Sequence, residues 1–190
     1  AARSRLNMLD AGVNIIEESM MATEAFLKAR SGWNAVINAD AAIREATALA
    51  EEMSKENILA SQAKGNEALA FLEEAQQDFS QAEAAYPGLD LAAFKAYVAK
   101  RIESQQAALA ADEAYLSRNK EELEAQNSRY NALEEEAAAL AQKLGEDDPE
   151  QIVALRFYEE IEADQGAYEA ERLKAGNADA FLREYLGTAS

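Results

Sequence analysis

The chain has 190 residues, and 36 acidic against 18 basic side chains give a formal net charge of -18. This charge repels nucleic-acid phosphates and anionic membrane surfaces, so no nucleic-acid partner is predicted. Histidine and cysteine are absent, which excludes thiol nucleophiles, imidazole-based triads and the usual zinc sites. We therefore expect a protein that is not an enzyme and has no catalytic residues, metal or cofactor.

The usage of alanine, glutamate, leucine and lysine is typical of long helices and predicts one elongated all-α domain over residues 1–190. No apolar run approaches the roughly 20 residues that a helix needs to cross a bilayer, so no transmembrane segment is predicted. The chain begins at Ala1 rather than methionine, and we expect the mature part of a longer exported or lipid-anchored bacterial chain. The predicted location is extracytoplasmic or at the cell surface, and the cytoplasm is the alternative.

The first predicted helix carries an apolar stripe with alternating spacings of three and four, the a and d pattern of packed helices. The stripe consists of Leu6, Leu9, Val13, Ile16, Met20, Thr23 and Leu27. Glycine is favoured just past a helix end, so Ser31, Gly32 and Trp33 predict a turn after this helix.

Residues 34–85 predict either one long helix or two. Gly65 costs about 1 kcal/mol relative to alanine inside a helix, so a kink or break is predicted there. Ser54 is the alternative start of a second helix, as a capping residue. Pro87 blocks continuation of the helix and Gly88 permits a positive φ, so the chain is predicted to reverse at this point.

The stretch from Leu91 to Leu144 contains neither glycine nor proline, and predicts one helix of roughly 80 Å at about 1.5 Å per residue. An unbroken column of residues at a spacing of seven marks a packing seam on this helix. The column consists of Ile102, Leu109, Leu116, Leu123, Tyr130, Ala137 and Leu144. Such a seam serves scaffolds, adaptors and rods alike, so it does not identify a function.

Gly145 predicts the end of the long helix, and Asp148 and Pro149 predict the cap and first residue of a fourth helix. That helix is predicted to end at Gly176 and to be followed by a short last helix. This order of short, long, long and short helices predicts an elongated antiparallel helical bundle whose central hairpin protrudes, with Pro87 at its tip. If the second helix is broken, stacked helical hairpins replace this arrangement.

A short segment before the central turn has the spacing that ends a tetratricopeptide repeat. Ala75 and Ala82 are small residues that flank the aromatic Phe79, and Pro87 closes the second helix. With Tyr86 before the proline, this half-repeat resembles tetratricopeptide-like helical-hairpin proteins of the bacterial cell envelope. The resemblance implies a concave helical surface that binds peptides or partner proteins, and it transfers no site residue.

Residues at the Pro87 turn and along the helix after it are the predicted partner-binding site. Tyrosine is favoured at binding surfaces, because its ring buries a large area while its hydroxyl keeps a hydrogen-bond partner. Tyr97 and Tyr115 are 18 residues apart, which places both on one side of a helix. The candidate residues are Tyr86, Phe94, Tyr97, Arg101, Tyr115 and Asn119.

These observations predict a non-enzymatic helical module for protein interaction or scaffolding, from a bacterial exported or surface-anchored protein with an unidentified protein partner. The first alternative is a self-associating coiled-coil rod, in which the Ile102 seam is buried against a second copy. The second alternative is a small-ligand carrier with a pocket between its helices.

Overall fold

A computed structural model describes residues 2–145 and 147–188 of the chain. It consists of five α-helices: α1 (Ala2–Glu51), α2 (Lys55–Ala85), α3 (Ala92–Leu116), α4 (Lys120–Leu144) and α5 (Pro149–Thr188). The described residues contain no strand, and the helices pack against one another. The predicted all-α helical bundle is therefore confirmed.

Consecutive helices from α1 to α4 are antiparallel. Lys64 pairs with Glu45, and Ser31 donates a hydrogen bond to Asp78, so α2 runs back along the C-terminal part of α1. α3 returns along α2, and α4 returns along α3. At about 1.5 Å per residue α1 is about 75 Å long, roughly 30 Å longer than α2, and its N-terminal part extends beyond this four-helix bundle.

α5 begins where the bundle ends and runs antiparallel to the N-terminal part of α1. Its first turn meets α1 through the ion pair between Arg30 and Glu150. The Tyr86 hydroxyl donates to the carbonyl oxygen of Arg156, which places the Pro87 turn at the base of this extension. We call the two-helix part formed by residues 2–30 and α5 the arm. The prediction of a protruding hairpin with Pro87 at its tip is wrong.

Predicted helix starts at two positions are confirmed by their caps. The Ser54 side chain accepts a hydrogen bond from the Asn57 amide at 3.2 Å and begins α2. The Asp148 carboxylate accepts one from the Gln151 amide at 2.8 Å at the start of α5. The reversal between α2 and α3 is also as predicted, with Gly88 at φ 81°.

The turn predicted at Gly32 and the break predicted at Gly65 are wrong, because both glycines lie inside continuous helices. A Cβ on Gly32 would lie 2.8 Å from Cε1 of Phe79, and a Cβ on Gly65 would lie 2.9 Å from Cδ2 of Leu109. Each glycine therefore lets a side chain of the neighbouring helix approach the backbone closely. These two glycines mark close helix packing rather than chain reversal.

The single helix predicted over residues 91–144 is also wrong, because the chain reverses between α3 and α4 at Ser117, Arg118 and Asn119. Arg118 has φ 59°. The Asn119 side chain caps α4 by accepting a hydrogen bond from the Glu122 amide at 3.1 Å. Asparagine is among the strongest N-cap residues, so this reversal needs neither glycine nor proline.

α5 continues through Gly176 to Thr188, so the predicted helix end at Gly176 and the separate last helix are wrong. A Cβ on Gly176 would meet no atom within 4 Å. A glycine inside a helix costs only about 1 kcal/mol, which the rest of a long helix tolerates. The observed order is one long helix, three of intermediate length and a second long one.

The main core lies at the base of the arm, where α1, α2 and α3 meet and residues of α4 and α5 join them. Phe94 packs edge-on against Trp33, with ring centroids 5.9 Å apart, and tilted against Phe79 at 6.0 Å. The α1 side of this core is lined with small residues, which let the neighbouring helices approach closely. They are Ala22, Ala25, Ala29, Ala35 and Ala39.

Candidate functional site

Three of the predicted site residues, Tyr86, Phe94 and Tyr97, belong to the main core, and the first two are its most deeply buried aromatic candidates. Tyr86 and Phe94 are 1% and 2% exposed. Burial, together with the nearby carboxylates of Glu18 and Glu160, raises the pKa of Tyr86 to about 12, so its phenol stays neutral. Neither side chain is available to a partner in this arrangement, because α5 packs on Tyr86 and the rings of Trp33 and Phe79 pack on Phe94.

Tyr97 and Arg101 are close together and tie three helices to one another. The Arg101 guanidinium donates to the Tyr97 hydroxyl at 3.2 Å and to the Asp40 carboxylate on α1 at 2.9 Å. It also lies 3.7 Å from the carboxylate of Glu134 on α4. Burial raises the pKa of Tyr97. This cluster pairs its charges internally and stabilises the bundle.

Tyr115 and Asn119 lie at the far end of α3, about 27 Å from Tyr97 at 1.5 Å per residue. The Tyr115 hydroxyl donates to the Met53 carbonyl oxygen at 2.7 Å, and Asn119 is the α4 cap. The six candidates therefore occupy three separate places rather than one face. Partner binding through them stays a prediction, with Tyr115 and Asn119 the members that border an open cleft.

The surface that sequence reasoning missed is the apolar stripe of the first helix. Its spacing predicts a buried packing stripe, yet six of its seven residues are 50–68% exposed. We call these six residues the α1 stripe. They are Leu6, Leu9, Val13, Ile16, Met20 and Leu27.

The α1 stripe is exposed because the N-terminal part of α1 is apolar on two faces. The inner face, which includes Met8, Ala11 and Ile15, is partly buried in the arm, and Ala22 and Ala25 continue it into the core. The arm has only two helices, and α5 covers only the inner face of α1. A helix that is apolar on two faces is normally buried on both, so the second face indicates a missing neighbour.

Acidic side chains flank the α1 stripe on one side. Asp10, Glu17 and Glu24 each follow a d position of the stripe, and all three are exposed. None of them forms an ion pair with another described residue. Side chains at these flanking positions contact the neighbouring helix in a coiled coil, where their charge selects the partner.

None of the described helices combines the length and the apolar character that crossing a lipid bilayer requires. In the same part of the chain, no three acidic side chains are grouped so that they would hold a metal ion. Comparisons with known protein families, with curated proteins and with solved structures found no match for this chain.

Proposed function

We propose that this protein is a non-enzymatic helical interaction module that holds an amphipathic helix of a partner protein along the α1 stripe. The observation that supports the proposal is the exposure of six large apolar side chains in an a and d pattern. Helix-in-groove binding uses anchors at this spacing. The bacterial exported or surface-anchored setting, which the tetratricopeptide-like resemblance suggests, belongs to the same proposal.

The size of the α1 stripe supports a specific role. Aliphatic side chains carry on the order of 100 Å² each, so six of them at their observed exposure present roughly 400 Å² of apolar surface. A patch of this size lies within the range of about 300–600 Å² found for the largest, often functional, patch of a monomer. Covering it would contribute about 10 kcal/mol before the cost of association.

Charge favours a basic partner helix over a second copy of this chain. If two α1 stripes paired antiparallel, Asp10, Glu17 and Glu24 of one copy would face the same residues of the other, which is repulsive. If they paired parallel, Asp10 would face Arg5, but Glu17 and Glu24 would face Gly12 and Ser19, so two of the three carboxylates would meet no positive charge. Each copy also carries a net charge of -18. A helix with lysine or arginine beside its apolar stripe is complementary to all three carboxylates.

The α1 stripe spans 22 residues from Leu6 to Leu27, or about 32 Å at 1.5 Å per residue. A partner helix of about 22 residues would cover this length. It would complete a three-helix bundle with α1 and α5, in which both apolar faces of α1 are buried.

Binding of designed peptides tests the proposal. The probe is a fluorescent 22-residue helix with leucine at a and d positions and lysine at the flanking positions, where like charges oppose self-association. A matched peptide with glutamate at the flanking positions is the charge control. We expect saturable binding of the lysine peptide, measured by fluorescence anisotropy, and at least tenfold weaker binding of the glutamate peptide.

The variant Leu9→Gln/Ile16→Gln removes two anchors and keeps helix propensity and charge. It removes roughly 130 Å² of apolar contact, so the Kd should rise by about two orders of magnitude. The control is Leu59→Gln on α2, an exposed leucine outside the arm, which should leave the Kd unchanged. Equal weakening by both variants, equal affinity for both peptides, or a stable dimer in light scattering of the free chain would contradict the proposal.

A further inference from the structure

A cavity that is partly open to solvent lies between the four bundle helices, at the end remote from the arm. Its volume is about 170 Å³, and all four bundle helices contribute to its walls. Its apolar walls come mainly from small side chains, including Ala46, Ala108 and Ala111, and its polar groups come mainly from α2, α3 and α4. No lysine or arginine lines it.

Gln105 on α3 lines this cavity with an unpartnered carboxamide. The residue is 2% exposed, and its side chain forms no hydrogen bond with another described residue. Buried polar side chains in proteins nearly always have a partner. The Gln105 carboxamide keeps its access to the cavity, so a polar group that enters the cavity can bond to it in place of water.

Asp112 lies two helical turns further along α3 and also lines the cavity. Its carboxylate accepts a hydrogen bond from the Ser61 hydroxyl at 3.2 Å, and Ser61 is itself 4% exposed. Asp112 forms no ion pair with another described residue. Burial raises the pKa of Asp112, as expected for a carboxylate that lacks a counter-ion. A half-buried carboxylate in a cavity without basic side chains is complementary to a cation.

The spacing of these groups defines the ligand. Gln105 and Asp112 are seven residues apart, or about 10 Å along the helix at 1.5 Å per residue. Alanine side chains and the Tyr130 ring lie between and around them. A cavity of about 150 Å³ holds a benzene ring, so this one holds a single ring or short chain whose two ends reach the polar groups.

We propose that this cavity binds a small primary ammonium compound with a short apolar or aromatic body and a hydrogen-bonding group at its other end. The ammonium group pairs with Asp112, and the opposite polar group bonds to the Gln105 carboxamide. Tyr130 packs against the body of the ligand. The site is separate from the α1 stripe, so this proposal does not depend on whether a partner helix binds there.

Tyramine is a suitable probe, because it carries an ammonium group and a phenol at opposite ends of one ring. We expect ¹H–¹⁵N NMR titration of the whole chain to show saturable shifts confined to residues 43–50, Ser61, residues 105–112 and residues 127–130. Tyrosol, which replaces the ammonium group with a hydroxyl, should bind at least tenfold more weakly. Phenethylamine, which lacks the phenol, should also bind more weakly.

Variants separate the two contacts. Asp112→Asn should weaken tyramine binding at least tenfold, and Gln105→Leu should reduce it to the affinity of phenethylamine. Glu121→Gln on α4 removes one exposed charge outside the cavity and should leave affinity unchanged. The proposal is overturned if tyramine shifts do not saturate, if they spread over the acidic surface, or if Glu121→Gln weakens binding as much as Asp112→Asn. Mapping on the unmodified chain decides the question even if a variant does not fold.

Discussion

Replacing Gly32 with alanine should destabilise the bundle, although the same change stabilises most helices. Inside a helix, alanine is more favourable than glycine by about 1 kcal/mol of helix propensity. The added methyl would lie 2.8 and 2.9 Å from two ring carbons of Phe79 and 3.2 Å from Cβ of Asp78. The Phe79 ring is fully buried and packs against Phe94, so it has little room to move.

Overpacking a rigid core costs about 1–3 kcal/mol. Because the Phe79 ring is held on both sides, we expect the upper part of that range, about 2–3 kcal/mol. The better helix propensity of alanine offsets about 1 kcal/mol of this, so Gly32→Ala should lower the free energy of unfolding by about 1–2 kcal/mol. Gly65→Ala meets only the flexible end of Leu109, and should change stability by less than about 0.5 kcal/mol. A Cβ on Gly12 would meet no atom within 4 Å, so Gly12→Ala should gain up to about 1 kcal/mol.

Urea unfolding followed by helical circular dichroism measures these differences. The fluorescence of Trp33, the single tryptophan, reports the same transition beside the Phe94 ring. Adding Phe79→Leu to Gly32→Ala should recover part of the loss, because the smaller side chain makes room for the methyl. If Gly32→Ala stabilises the protein as much as Gly12→Ala does, the close approach of Phe79 is refuted.

Three further predictions concern caps and charges. Ser54→Ala should lower the free energy of unfolding by about 1 kcal/mol in urea denaturation, and no change would contradict the α2 cap. Arg101→Met should lower the free energy of unfolding, measured in the same way, by about 2 kcal/mol. This is less than the loss expected when a fully buried ion pair is broken, because Asp40 and Glu134 are partly exposed. An unchanged free energy would show that the cluster does not stabilise the bundle. Asp112→Asn should raise the melting temperature near neutral pH, because the raised pKa of Asp112 means that the folded state disfavours its charged form. The wild type gains stability as pH falls through that pKa, so the advantage of the variant should vanish in acid, and a constant difference would contradict the assignment.

Helices and capped turns can be predicted from the sequence, whereas the roles of glycines inside helices cannot. Ser54, Pro87 and Asp148 act locally, through side-chain caps and a fixed φ, so their effects are readable from neighbouring residues. Gly32 and Gly65 act through contacts with residues more than 40 positions away along the chain. A single sequence does not separate a glycine that ends a helix from one that admits a neighbour.

The α3–α4 reversal escapes sequence-based prediction because its signal is short. Asn119 followed by Glu122 is an N-cap pattern that predicts a helix start, but the seven-residue column continues across it without interruption. The column persists because the two helices of the hairpin each contain one part of it. Pattern continuity therefore does not prove helix continuity.

Partner binding at the six candidate residues stays a prediction, but the burial of two of them is not readable from the sequence. Aromatic residues at a turn are expected to be exposed, but α5 covers Tyr86, and Phe94 packs against Trp33 and Phe79. The stripe from Leu6 to Leu27 is readable from the sequence as a packing surface. Its exposure depends on how many helices extend into the arm beside α1, which is a property of the tertiary fold.

Amide hydrogen exchange of the chain with and without the lysine-flanked peptide tests the central claim most directly. The proposed docking predicts that added peptide slows exchange of residues 6–27, and of the facing part of α5, while α2 and α3 are unchanged. Protection confined to residues 86–119, or no protection of residues 6–27 at saturating peptide, would contradict docking on the α1 stripe.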